Sequence, residues 1–184
     1  MPQSIVQVKT YAEVEAIFAL ATGTYNNTYA GTEIYVSDKS WHLLCYYDRE
    51  AKPKSGVLKI NNGDTLPAWL TPETLLIDTG VVSTDINLTP LEITTISGYY
   101  LYAAIFETAA ATLDAVQIMD TESSVIIGWS NVNAGYSAVG FIGGTSLVPG
   151  VGIQYASGNL FLTCTTAEDT SNKQAIIEFK KSYM

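Results

Sequence analysis

Charged side chains are scarce in this sequence, at 15% of 184 residues against 47% hydrophobic residues. Much of the solvated surface must therefore consist of Thr, Ser, Asn, Gly and Tyr, a composition typical of β-sandwiches. The same scarcity suits a chain that binds copies of itself, because residues that face a partner need no charge. The length allows a stable core without disulfides or a metal ion.

Positive charge is nearly confined to the first third of the chain. Six of the nine Lys and Arg residues precede residue 60, and none occurs from Ile60 to Asn172. That span holds eleven acidic residues, and the net charge is −9. The cations that bind phosphate backbones or anionic lipid surfaces are therefore missing there. We expect neither nucleic acid nor a membrane as a partner.

Long apolar runs and secretion signals are also missing. The longest apolar stretches, such as "LYAAIF", are far too short to cross a bilayer. The start "MPQSIVQVK" has no basic segment followed by an apolar run, so it does not fit a secretion signal. We expect synthesis as a soluble chain in a cytoplasm.

Metal ligands and catalytic motifs are equally sparse. His42 is the single histidine, and no C-x-x-C, G-x-S-x-G or phosphate-loop pattern occurs. A Ser-His-Asp hydrolase would need His42 as its base, yet His42 lies in the middle of the strand-like run "WHLLCYY". Cys45 and Cys164 both lie in apolar runs and are predicted to be buried free thiols. We expect no metal, no cofactor and no enzymatic activity.

The acidic residues keep two alternatives open. A glycosidase needs two carboxylates facing each other across a groove, and a calcium site needs several oxygen ligands from a loop. The linear sequence cannot pair the candidates, and acids at turns commonly accept backbone hydrogen bonds instead. The glycosidase candidates are Asp78, Asp85, Asp114, Asp120 and Glu122, and the calcium candidates are Asp120, Glu122, Glu168 and Asp169.

One helix is predicted at the front of the chain, in "TYAEVEAIFAL", residues 10–20. Thr10 followed by Glu13 fits a capping box, and Gly23 is the predicted helix stop. Strands are predicted at 32–37, 41–47 and 56–60, so residues 1–70 form a predicted helix-plus-β-hairpin module. The apolar helix face is predicted to pack on these strands through Tyr11, Val14, Ile17 and Phe18.

Residues 61–73, which combine turn residues with two prolines, are the predicted connector to a second domain at 74–184. Nine β-branched or aromatic runs follow at the spacing of an antiparallel, jelly-roll-like β-sandwich. The fold class is therefore mainly β. "YYLYAAIF" is apolar on both strand faces, so either a second layer or a neighbouring subunit must cover it, and we favour the subunit.

The aromatic residues include a candidate sugar contact. Trp129 precedes the polar run "SNVNAGYS", and together with Tyr136 it forms our candidate glycan contact. The alternative for Trp129 is a core or interface residue, which is the usual position of a tryptophan at a strand end.

The runs "VKTYAEVEAI", "GTEIYVSD" and "WHLLCYYD", within residues 8–50, resemble a module near the start of bacteriophage tailspikes and tail fibres. The sandwich that follows is similar in texture to the trimeric knobs of fibre tips and of phage capsid exteriors. The chain lacks the long catalytic body of a tailspike. It therefore looks most like a capsid decoration, or cement, protein.

This resemblance implies a homotrimer that binds the major capsid protein of the same phage and stabilises the shell, on the virion surface, after synthesis in the host bacterial cytoplasm. Ile5, Val6 and Val8 would form an arm that adds a strand to the capsid or to a sister subunit. The protein would also contribute to host recognition. The alternatives are a receptor-binding fibre tip that recognises a host surface glycan, and a monomeric carbohydrate-binding module.

Overall fold

The computed structural model describes residues 6–49, 55–109, 112–119, 125–133, 137–141, 153–154, 159–165 and 170–182. The chain divides into two compact units, unit 1 (Met1–Leu76) and unit 2 (Ile77–Met184). Over the described residues the fold is mainly β with two short helices, which confirms the predicted fold class.

The elements of unit 1 are, in chain order, β1 (Val6–Lys9), α1 (Tyr11–Phe18), α2 (Thr22–Thr28), β2 (Glu33–Val36), β3 (Trp41–Cys45) and β4 (Gly56–Asn61). Strand β5 (Thr74–Asp78) leads from unit 1 into unit 2. The strands of unit 2 are β6 (Leu91–Ile93), β7 (Tyr99–Thr108), β8 (Thr112–Met119), β9 (Val125–Asn133), β10 (Ser137–Phe141), β11 (Ile153–Gln154), β12 (Leu160–Cys164) and β13 (Lys173–Lys181).

Helix α1 begins at the predicted capping box. The Glu13 N–H donates to Thr10 Oγ1, and the Thr10 N–H donates to the Glu13 carboxylate at 2.7 Å. The Tyr11 N–H donates to Asp38 Oδ1 at 2.8 Å, which fixes the helix start to the turn between β2 and β3. The two exchanged bonds satisfy backbone donors that a helix start otherwise leaves without partners.

The predicted helix stop at Gly23 is wrong. Helix α1 ends at Phe18, and Gly23 lies inside α2. The α2 sequence "TGTYNNT" has little helix propensity, so tertiary contacts must hold it. Tyr25 is fully buried, and the Asn26 side chain exchanges two hydrogen bonds of 2.7 Å with the Asp48 backbone. The helix is therefore anchored to the segment that follows β3.

The strands of unit 1 form a sheet in the order β1-β2-β3-β4, with β1 parallel to β2 and the other pairs antiparallel. Alternation along β3 buries Trp41, Leu43 and Cys45 on one face and exposes the intervening residues on the other. Because side chains of a strand alternate between faces, one side of this sheet lies in the core and the other faces solvent.

Unit 2 is a sandwich of two antiparallel sheets. One has the order β5-β13-β7-β10, with the short β11 also paired to β7, and the other has the order β6-β12-β8-β9. If the strands from β5 onward are counted without β11, the orders are 1-8-3-6 and 2-7-4-5. This is the arrangement of an eight-stranded jelly roll. The nine strand-like runs predicted for residues 74–184 each overlap one of the strands β5 to β13.

The core of unit 2 is lined by both sheets. The largest buried side chains include Phe106 of β7 and Phe179 of β13. Cys164 is buried in β12 and Cys45 is buried in unit 1, and both are free thiols, as predicted.

Candidate functional site

The solvent-facing side of the β1–β4 sheet is the candidate site, and we call it the outer face of unit 1. It consists of the residues that alternate with the buried ones along β2, β3 and β4, and of Val6 and Val8 in β1. Two cross-strand rows follow from the register. One row is Val8, Tyr35, His42 and Lys59, and the other is Val6, Glu33, Leu44 and Val57.

The outer face combines apolar surface with a few charges. Val6, Val8 and Leu44 are exposed, with 65% of Val8 accessible to solvent. The centres of the Tyr35 and His42 rings lie 4.9 Å apart with the rings tilted, and this contact joins β2 to β3 across the middle of the face. Exposed single hydrophobic residues are ordinary, but adjacent ones on one flat sheet face are typical of a contact surface.

The predicted arm is, over residues 6–9, a strand of the chain's own sheet. Val6 and Val8 belong to β1, which pairs in parallel with β2, and β1 ends the order of this sheet. Ile5 lies outside the described residues. The predicted contact of this segment with a capsid or a sister subunit stays a prediction. Within residues 6–9, the side chains available for such a contact belong to an edge strand that is already paired with β2.

The four residues predicted to pack the base are arranged around an aromatic cluster. Val14 and Ile17 are buried. The Tyr11 ring lies 6.0 Å from Trp41 and 5.4 Å from Trp69, and Phe18 lies 5.7 Å from Trp69. Trp69 is missing from the predicted set because it lies in the segment we predicted to be a connector. A large aromatic residue between two prolines was the available signal for its packing role.

Of the two candidate glycan residues, the structure describes the backbone position of only one. Trp129 lies in β9, where its backbone pairs with Val116 of β8. Tyr136 lies outside the described residues. The glycan contact therefore stays a prediction.

A cleft of about 230 Å³ opens beside the end of β1. Its lining residues are Lys9, Glu13, Ala16, Ile17, Leu20 and Tyr29. Lys9 Nζ, at the end of β1, lies 3.9 Å from Glu13 Oε1 in the first turn of α1. The charges of this ion pair largely offset each other, so the rest of the cleft lining is mainly apolar.

The buried titratable groups Cys45 and Tyr25 of unit 1 are core residues. Burial raises the pKa of the Cys45 thiol and raises the pKa of the Tyr25 hydroxyl. A thiol held in its protonated form is a poor nucleophile. His42 lies on the outer face against Tyr35.

Within the part of the chain that the structure describes, no group of three or more His, Cys, Asp or Glu side chains could hold a metal ion. No helix among the described residues is long and apolar enough to span a membrane. No known protein family, curated protein or solved structure matches this chain.

Proposed function

We propose that this protein is a non-enzymatic structural protein of a bacteriophage virion, a trimeric decoration protein that binds the outer surface of the capsid. The observation that carries the proposal is the outer face of unit 1. It is an open, partly apolar sheet face, and five of its eight row residues lie in residues 8–50, the segment that resembles the attachment module of phage spikes and fibres.

The architecture of unit 2 supports the same class. Eight-stranded jelly rolls are common in viral capsid proteins, although they also occur in lectins and cupins. This support is an analogy at the level of the fold, and the functional argument therefore depends on the surfaces. The acidic unit 2 would form the exposed head, and unit 1 would contact the shell through β1 to β4.

The proposed mechanism makes and breaks no covalent bond. The outer face binds a surface that exists only on the assembled lattice, because neighbouring capsid subunits must be in place to form it. Binding to the assembled state alone stabilises that state by mass action, by about 2.7 kcal/mol per site when the free protein is at 100 times its dissociation constant.

A co-sedimentation experiment with shells of the major capsid protein of the same phage tests this proposal. Val8→Asp places a charge on the outer face, and we expect binding to weaken about 10-fold or more. Tyr47→Asp is the matched control, since Tyr47 has the same exposure, 66% against 65%, but lies outside the four strands. Point variants are preferable to deletion of residues 1–9, which would also remove a strand from the sheet.

Two results would overturn the proposal. One is the absence of wild-type binding to assembled shells, and the other is equal binding by Val8→Asp and the wild type. Binding to a host glycan that is lost in Trp129→Ala would instead favour the receptor-binding alternative.

A further inference from the structure

The solvent-facing side of β7 and β13 is a second open surface, in unit 2, and we call it the β7–β13 face. Its members are Tyr100, Tyr102, Ile105, Glu107, Gln174, Ile176, Glu178 and Lys180. Tyr102 and Ile105 are exposed, at 40% and 41%. Strand β7 lies between β13 and β10, so this exposure occurs on an interior strand and not at a sheet edge.

An apolar row crosses the middle of this face. Ile105 pairs with Ile176 of β13. The opposite side of β7 is fully used by the core, where Leu101 and Phe106 are buried. A strand with apolar residues on both faces is typical of sheets that are covered on both sides.

A β-bulge directs one tyrosine into this face. The register between β7 and β13 shifts between Glu178 and Phe179, which pair with Ala103 and Leu101, so that Tyr102 is the extra residue. Lys180 Nζ lies 5.2 Å from the centre of the Tyr102 ring and 3.0 Å from Glu178 Oε1. Bulges commonly re-aim a side chain, and this one places an aromatic ring beside an ion pair.

We infer that the β7–β13 face binds a second copy of this chain. The inference rests on the proposed function only for the expected size of the assembly, a trimer. It assigns the contact between sister subunits to unit 2 and leaves the outer face of unit 1 available for the shell.

The distribution of charge favours a second copy as the occupant. Unit 2 contains ten acidic residues and three basic ones, and Lys173, one of the three, is buried. The other two, Lys180 and Lys181, lie at one end of β13, and Glu107 lies near the other end of the face, at the register position of Gln174. A second copy of the chain can place its Glu107 end against this lysine end, whereas a nucleic acid or an anionic membrane has no positive group to offer Glu107.

Light scattering after size exclusion, on the full chain at several concentrations, tests the inference. We expect the wild type to elute at about three times the 19.9 kDa of one chain. Ile105→Glu would bury an unpaired carboxylate in the contact and weaken association about 100-fold or more, which gives a monomer. Leu88→Glu is the matched control, because Leu88 is an exposed apolar residue of the same unit outside this face, and it should leave the mass unchanged.

A second variant covers the case in which Ile105→Glu fails to fold, as judged by circular dichroism. Lys180→Glu reverses the charge of one of the two lysines at the positive end of the face, at a half-buried position, and it should weaken association most at low ionic strength. A wild-type monomer at all concentrations, or unchanged assembly of both variants, would overturn the inference.

The two proposals fail in different ways. If the variants still assemble and the wild type binds shells, this inference fails and the proposed function stands. If Ile105→Glu is a monomer but no form binds shells, the subunit contact stands and the proposed function fails.

Discussion

The two units cover the buried face of a β-sheet with different secondary-structure elements. Each has a sheet with one buried face and one face open to solvent. In unit 1 the buried face is covered by helix residues such as Val14 and Tyr25, whereas in unit 2 a second sheet supplies the cover. A sheet needs only one apolar layer against it, and a helix or another sheet can provide that layer. The open faces are therefore the sheet surfaces that the core packing of each unit does not cover.

The units also differ in charge. By sequence, unit 1 has eight acidic and six basic residues, and unit 2 has ten acidic and three basic residues. The nearly balanced unit 1 can approach a protein surface of either sign, while the acidic unit 2 repels anionic surfaces. This difference is the reason that we assign shell binding to unit 1 and exposure on the virion to unit 2.

The largest expected effect breaks the sandwich of unit 2. Phe106 is fully buried in β7, so Phe106→Ala should lower the free energy of unfolding by about 3–5 kcal/mol through lost burial and a cavity. Urea unfolding followed by circular dichroism measures this loss. Leu88→Ala, at a position 70% exposed, should change the value by no more than about 0.5 kcal/mol. A loss below 1 kcal/mol in Phe106→Ala would contradict the jelly-roll core.

The next largest effect breaks the sheet of unit 1. A Cβ at Gly56 would overlap the Leu44 carbonyl oxygen, so Gly56→Ala must push β3 and β4 apart, at a cost of about 2–3 kcal/mol. Tryptophan fluorescence during urea unfolding measures the cost, and alkylation of Cys45, which is buried beside Gly56, reports local opening.

Gly23→Ala is the control for that change. Gly23 lies in α2 with no atoms near the position of a Cβ, so alanine should be neutral or should stabilise by about 0.5 kcal/mol. Equal destabilisation by the two alanine substitutions would show that backbone overlap at Gly56 is not the cause.

Most of the fold could be predicted from the sequence because its signals are local. The Thr10–Glu13 capping box and the strand predicted at 41–47 depend on near neighbours; the capping box is confirmed, and β3 forms over residues 41–45. Helix α2 could not be predicted in this way, because Thr, Gly and Asn are poor helix formers. Its stability depends on Tyr25 and on the Asn26–Asp48 bonds, which join residues far apart in the sequence.

The candidate surfaces were predicted only in part, for the same reason. Val6 and Val8 were predicted as a contact segment, but their pairing with β2 is a tertiary event. Tyr35, His42 and Leu44 share a face with them only because of the register between strands. The bulge at Tyr102 likewise depends on how β7 and β13 align, and a single strand carries no signal for that alignment.

A smaller effect concerns the link between the aromatic cluster and β4 in unit 1. Trp41 Nε1 donates to Asp64 Oδ2 at 2.6 Å, and the Asn61 N–H donates to the same oxygen at 3.1 Å. Asp64→Ala leaves the indole N–H without its acceptor and should cost about 1–2 kcal/mol in urea unfolding. Asp64→Asn keeps an acceptor and should cost clearly less. Equal losses in the two variants would remove the hydrogen bond as the explanation.

The smallest expected effect is a pH dependence of stability that arises in unit 1, because the capping box belongs to that unit. The Glu13 carboxylate accepts the Thr10 backbone N–H and, secondarily, its hydroxyl, and these bonds lower the pKa of Glu13 from the ordinary 4.5. A pKa lower in the folded state than in the unfolded chain means that ionised Glu13 stabilises the fold. That contribution is complete above pH 4.5 and disappears as the pH falls through the folded-state pKa.

Glu13→Gln should therefore unfold at a lower urea concentration than the wild type at pH 7, and the difference should shrink as the pH falls below 4.5 towards pH 3. Thr10→Ala should cost about 1 kcal/mol at pH 7, because it removes the hydroxyl that caps the helix. A difference between the wild type and Glu13→Gln that is the same at both pH values would show that the charge on Glu13 does not contribute.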